Sequence, residues 1–278
     1  MAIKGIDVSA WQGIIDWKAV KAAGIQFAII KAGGSDDGIY TDSKFERNYE
    51  QCKANRIPVG AYWFVGENFI TKADGEADAE RFLKLLKGKQ FEYPVYVDLE
   101  PPLKPAHRKW NTDATIAFCE YMEKHGYYVG VYGSTYSTFQ SLVDDSRLTS
   151  YAHWVAQYAN SCTYWDNYGI WQYTSDGWVN GISGRCDMNY CYVDYPSRIK
   201  AKGMNGFKKS TTTTTKPKAD TLALLKVDGV FGQISVRMLQ RMLNAEINAG
   251  LDVDGVLGPL TWKALQTYIN KWIAEQNH

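Results

Sequence analysis

Alternation constrains this chain more than any other feature. Across the first 143 residues an apolar, β-like run gives way five times to a stretch of helical character. The runs are "IKGIDVSA" (3–10), "FAIIKAGG" (27–34), "PVGAYWFV" (58–65), "YPVYVDLE" (93–100) and "YVGVYGS" (128–134). They are rich in Val, Ile and aromatic residues and bounded by Gly, Pro, Asn or Asp. Several are apolar on both faces, as parallel strands covered by helices are. Helices are predicted over 16–23, 43–55 with Ser43 as its cap, 72–88, 112–124 opened by Thr112, and 136–143. In the third of these, Ala77, Phe82, Leu85 and Leu86 fall near one face. Three more runs follow, "HWVAQY" (153–158), "GIWQYTS" (169–175) and "DMNYC" (187–191), with no amphipathic helix between them.

Eight strands in this order predict an α/β fold, an irregular TIM-like barrel of five β/α units followed by three β-strands. The alternative is an open doubly wound sheet. It usually places a Gly-rich phosphate loop after strand one, and "DVSAWQG" is not one.

Composition then breaks at "KKSTTTTTKPK" (208–218), a polar, low-complexity stretch. The expected organisation is a barrel over 1–203, a Thr/Lys-rich linker over 204–219 and a small, mostly helical C-terminal domain over 220–278. That last part repeats itself: "VDGVFGQISVRMLQ" (227–240) aligns with "VDGVLGPLTWKALQ" (253–266). Each copy is an Asp-Gly turn, a Gly and an amphipathic helix opened by Ser235 or Thr261. A calcium loop is excluded, because aligning Gly255 to the loop glycine puts Gly250 at the first ligand position and Thr261 where a bidentate Glu belongs.

Charge excludes other classes. The net charge is +1, and residues 217–278 carry six Lys/Arg against six Asp/Glu, so no nucleic-acid footprint is expected. No apolar run reaches the ~18 to 20 residues of a spanning helix, so no membrane partner is expected either. "MAIKGIDVSAWQ" runs straight into a strand, which argues against a secretory signal. Five cysteines, Cys52, Cys119, Cys162, Cys186 and Cys191, show no CxxC spacing and read as reduced thiols.

The chemistry begins at "YPVYVDLEPP", where a buried strand runs into Asp98 and Glu100 and stops at two prolines. Residues two apart on a strand share a face, so the two carboxylates project together. Asp7 lies on the first strand in "GIDVSAWQG", and Asp187 opens the last in "GISGRCDMN". In a closed barrel those strands are neighbours, so four acids can converge on one mouth. Crowded carboxylates cannot all ionise cheaply, and a protonated acid beside an ionised one can break a glycosidic bond. The rival is a Mg²⁺ or Ca²⁺ site, but His107 is the only histidine near, and no metal or cofactor is expected. Aromatics make up 14% of the chain, which suits either a filled core or sugar stacking. Trp11, Tyr62, Trp63, Tyr132, Trp154, Trp171 and Tyr173 lie at or near strand ends and are the candidates for substrate contact.

Taken in order, "GIDVSAWQG", "AIIKAGG", "VGAYWF", "VDLE", "WVAQY", "WQYTS" and "GISGRCDMN" resemble glycoside hydrolase family 25, the muramidases of the Chalaropsis lysozyme type. The likeness runs over about residues 3–195. It implies the same barrel and hydrolysis of the β-1,4 bond from N-acetylmuramic acid to N-acetylglucosamine in peptidoglycan. By that resemblance Glu100 is the general acid, Asp98 its partner, and Asp7 and Asp187 complete the cluster. Tyr62 matches the family's strand-three Tyr, and Trp63 stands where "AYHF" often has His. The tail resembles peptidoglycan-binding repeats, implying a wall-binding domain through which the chain could also oligomerise. Barrel, linker and tail together resemble a bacteriophage endolysin, made in the host cytoplasm and released to the wall through holin-made holes. Two other readings stand beside this one. One is a non-catalytic wall lectin on the same barrel. The other is a chitin-active barrel, whose DxxDxDxE strand is absent here.

Overall fold

The computed structural model describes residues 2–164, 168–209, 232–251, 253, 255, 257 and 259–276. The chain divides into two compact units, Met1–Thr211 and Thr212–His278.

The first unit is built on nine strands: β1 (Ile3–Val8), β2 (Phe27–Gly34), β3 (Tyr40–Thr41), β4 (Val59–Phe64), β5 (Val95–Asp98), β6 (Val129–Ser134), β7 (Ala152–Ala156), β8 (Ile170–Gly177) and β9 (Cys186–Cys191). Eight of them close into a barrel in the order β1-β2-β4-β5-β6-β7-β8-β9, with β9 returning to β1. The pairings from β1 round to β8 are parallel, while β9 is antiparallel to both neighbours. The eight runs expected from sequence are the eight barrel strands. The two-residue β3, which pairs with the end of β2, had no signal of its own.

Helices α1 (Trp17–Ala22), α2 (Phe45–Ala54), α3 (Lys72–Leu86) and α4 (Arg108–Lys124) cover the first half of the barrel. A π-helical segment over Thr135–Leu142 follows β6, where a fifth helix was expected. Asp16 caps α1 by accepting from the amides of Lys18 and Ala19. At α3, Thr71 and Asp74 form a reciprocal capping box. Two expected caps are corrected. Ser43 does not cap α2, because Asp42 Oδ1 takes the Lys44 amide at 2.9 Å instead. Thr112 lies inside α4, which starts at Arg108; its hydroxyl donates to Arg108 O at 2.6 Å and accepts from Asp144 N at 2.7 Å.

Two apolar regions hold this unit together. Between sheet and helices lie Ile30, Val59, Val97 and Val131 with Phe82 and Phe118. Inside the barrel the filling is aromatic. Phe27 stacks on Tyr93 at 4.4 Å, and Trp154 packs against Tyr96 and Tyr132 at 5.3 and 4.2 Å. Such rings fit because neighbouring strands lack side chains at the same level. A Cβ on Gly5 would enter the Phe27 ring, and one on Gly130 the Tyr96 ring. Helix α5 (Tyr195–Lys202), capped by Asp194, closes the floor by packing Tyr195 against Tyr93 and Tyr128.

The linker boundary at 204 is corrected by Asn205, which is fully buried in the barrel unit. Its amide nitrogen donates to Phe91 O and Tyr93 O at 3.2 and 2.8 Å, and its Oδ1 accepts from Tyr128 N at 2.7 Å. The chain therefore belongs to the barrel past the end of α5.

In the second unit, α6 (Gln233–Ile247) and α7 (Pro259–Gln276) bury Val236, Leu243 and Ala264. Both helices begin two residues ahead of the expected openers, Ser235 and Thr261. Thr261 accepts from Gln240 Nε2 at 3.2 Å. Asn244 ties down the following loop with two 2.7 Å bonds to the backbone of Leu251. Residues 227–231 of the first repeat and 254, 256 and 258 of the second lie outside the described residues.

Candidate active site

Strand register assembles the four acids. Asp7 and Asp187 are direct partners across β1 and β9, so their side chains share one face. Asp98 ends β5 opposite Tyr132, and Tyr132 lies opposite Trp154. Glu100 follows two residues beyond Asp98, at the C-terminal mouth of the parallel strands. Reversal of β9 puts its beginning at that same mouth, which is how Asp187 joins.

Hydrogen bonds then differentiate the acids. Asp7 Oδ1 accepts from Gln172 Nε2 at 3.0 Å and from Asn189 Nδ2 at 2.7 Å. Gln172 Oε1 accepts from the hydroxyls of Tyr132 and Tyr158 at 2.8 and 3.1 Å. Asn189 Oδ1 accepts from Trp154 Nε1 at 2.8 Å. Asp98 Oδ1, by contrast, is buried and has no hydrogen-bond partner among the described residues. Lys31 supplies positive charge, its ammonium 4.6 Å from the Phe64 ring centre and 6.0 Å from that of Tyr62.

All four carboxyls are held above the ordinary range, with burial the largest cause in each. Asp7 is also raised by Asp187 and Glu100, against the opposing pull of its two amide donors. Asp98 is raised by Glu100 and Asp7, while Lys31 pulls it down. Glu100 is raised by Asp187 and again lowered by Lys31. Asp187 is pushed up to about 6, although its own backbone N–H stabilises the charge. A half-buried Glu whose hold on its proton is strengthened, beside carboxyls of differing environment, has the setting that general acid chemistry uses. Glu100 also lines a groove of about 390 Å³ with Thr135, Tyr136, Gln157 and Tyr158.

The predicted aromatics divide. Tyr62 and Tyr132 face the acids: burial and the charges of Asp7 and Asp98 raise both phenols. Trp154 lies beneath them, an edge-on neighbour of Tyr62 at 5.9 Å and only 1% exposed, so it supports the site instead of lining it. Trp11 is 90% exposed on the turn after β1. Two candidates are corrected by strand alternation. Trp63 points to the helix side, buried near Phe82 at 6.1 Å. Trp171 lies on the opposite face of β8 from Gln172, packed with Tyr173 and Tyr190 and donating to Gln157 O at 2.8 Å. Neither reaches the mouth, and Tyr173 goes with Trp171.

Sequence reasoning missed Lys31, Gln172, Asn189, Tyr136 and Tyr158. The first three carried a signal: each is a polar side chain on the interior face of a barrel strand, where apolar residues are the rule. Tyr136 and Tyr158 had none, since single exposed tyrosines are common. Among the described residues no group of three His, Cys, Asp or Glu side chains is placed to hold a metal ion.

The profile of Glycosyl hydrolases family 25 matches residues 6–182. The autolytic lysozyme of Clostridium acetobutylicum is 30% identical over 188 residues, 67% of this chain and 55% of that protein. The modular autolysin LytC of Streptococcus pneumoniae, solved with a synthetic peptidoglycan ligand, superposes with a TM-score of 0.61 at 27% identity, covering 69% of this chain and 47% of LytC. The CTP1L endolysin superposes with a TM-score of 0.60 at 30% identity, covering 72% of this chain and 70% of the endolysin. The chain thus spans about half the length of the first two. Barrel, acid cluster and profile match agree, and the chain belongs to glycosyl hydrolases family 25.

Proposed function

We propose that this protein is a peptidoglycan N-acetylmuramidase, cleaving the β-1,4 bond between N-acetylmuramic acid and N-acetylglucosamine. The observation that carries this reading is the half-buried, charge-crowded Glu100 at the edge of an aromatic groove. Glu100 donates its proton to the leaving N-acetylglucosamine oxygen. Asp98 supports the oxocarbenium-like transition state or orients the acetamido group, and its unpaired Oδ1 favours a substrate N–H there, since a buried acceptor without a donor is costly. Burial and the charge of Asp187 strengthen Glu100's hold on its proton, Asp7 completes the acid cluster, and Tyr62 and Tyr132 line the approach.

The second unit is the wall-binding part. A polymer substrate rewards such a tether, because it raises the effective concentration of the barrel near its bonds. The likeness to the CTP1L endolysin supports a phage lysis role, with synthesis in the host cytoplasm and release to the wall through holin-made holes.

Digestion of purified peptidoglycan followed by mass spectrometry tests the reading. Muramic acid at the new reducing ends is expected. Reducing N-acetylglucosamine, or cleavage of amide or peptide bonds, would replace it. Wall binding with no sugar release would favour the lectin.

A further inference from the structure

Gln172 and Asn189 are 2% and 0% exposed, and neither has been given a part in the chemistry above. Their orientation is settled by what surrounds them. An indole N–H only donates, so Asn189 turns its oxygen to Trp154 and its NH₂ to Asp7. Gln172 likewise turns its NH₂ to Asp7 and its oxygen to the hydroxyls of Tyr132 and Tyr158. Both amides address the same oxygen, Asp7 Oδ1. The rotamer of Asp7 is thereby fixed, with Oδ2 left uncommitted to either amide.

The other end of the Gln172 chain leads outward. Tyr158 follows β7, is 59% exposed and lines the groove beside Glu100. Its hydroxyl is anchored on β8, by Gln172 and by Ser175, so its ring is held at a set angle over the groove. We propose that Gln172 is a positioning residue that sets two groups at once, the carboxyl of Asp7 and the groove-wall ring of Tyr158, both neighbours of Glu100. Its kinetic consequences rest on the muramidase reading; its geometric ones do not.

Asp7 is also faced by Asp187 and Cys186 of β9, Asp98 of β5 with Glu100 beyond it, Tyr62 of β4 and Tyr132 of β6. Every one of these is an acid, a thiol or a phenol. Lys31 of β2, the strand paired with β1, supplies positive charge to the cluster, and the two amides favour the ionised form of Asp7 by direct hydrogen bonds. Removing one should let Asp7 hold its proton to higher pH.

The test uses the full chain and ¹³C NMR of the Asp7 carboxyl, identified by its loss in Asp7→Asn. In Gln172→Leu the titration midpoint should rise by about one pH unit or more, and Asn189→Leu should move it in the same direction. An unchanged midpoint in both would overturn the role at Asp7. If Gln172→Leu does not fold, Asn189→Leu and Tyr158→Phe carry the test. On a soluble glycan, Tyr158→Phe should raise KM by about 2- to 10-fold with a smaller change in kcat, and adding it to Gln172→Leu should cost clearly less than the sum of the two single losses. Additive losses would mean that the tyrosine acts independently. Wild-type protein releasing no sugar would remove the muramidase reading while the NMR result still decides the geometry at Asp7.

Discussion

A carboxylic acid that is to donate a proton has to resist ionising first, and burial together with Asp187 raises Glu100 in the direction the proposed general-acid role requires. Glu100→Gln keeps the shape and removes the proton, so lysis should fall by about 10²- to 10⁴-fold while binding to insoluble walls persists. Near-normal lysis would reassign the acid. Lys31 works against protonation at both Asp98 and Glu100. Lys31→Met should therefore move the alkaline limb of the pH–rate profile upward, and Asp187→Asn should move it downward. Asp187 also carries a stability cost. Folded, it keeps its proton up to about 6, whereas an unfolded Asp releases it near ~3.9. The folded state binds more protons in that window, so stability declines as pH rises through it and stays reduced above. Asp187→Asn should raise Tm by about 2–4 °C or more at pH 7 and far less at pH 3.5, even as activity falls. Equal gains at both pH values would argue against this account.

At the level of elements, the barrel strands were legible because their apolar runs are short, bounded and spaced by helices. Asp98 was legible as the end of its strand, and Glu100 joins the same mouth two residues past the strand's end, where the alternation argument pointed without the strand reaching it. The same alternation, applied across each run, separates Trp63 from Tyr62 and Trp171 from Gln172. What was missing was which side faces inward. In a strand apolar on both faces, hydropathy does not say, and an aromatic serves either filling. Trp63→Phe should accordingly lower stability, by less than the ~3–5 kcal/mol of a full truncation, and leave KM unmoved. A raised KM would return Trp63 to the substrate side. Helix ends were less legible, because Ser43 and Thr112 have capping chemistry but nearby residues took the cap or extended the helix. Gly75 in α3 shows a related limit. Helix propensity favours Ala there, yet a Cβ would run into the Ala114 carbonyl of α4. Gly75→Ala should destabilise by about 1–3 kcal/mol in denaturant melts.

For the whole molecule, the composition break announced two units, but the barrel's true end was hidden. Asn205 sits in a polar-looking stretch and only its bonds to Phe91, Tyr93 and Tyr128 reveal it as structural. A fragment ending at 203 should melt several degrees below one ending at 209, as calorimetry would show. The longer fragment should hydrolyse soluble muropeptides at close to the full-length rate while sedimenting poorly with intact walls. Equal losses on both substrates would make the second unit a folding partner of the barrel. The reversed last strand has a consequence for how such a barrel can diversify. A parallel eighth strand would need a crossover passing beneath the floor. Running backwards, β9 lets residues 178–185 turn over the rim, tied to it by the bond from Asp16 N to Gly181 O. That turn can be lengthened or exchanged without reopening the cylinder, so new surface could be grafted at the rim as long as Asp187, just past it on β9, keeps its place beside Glu100.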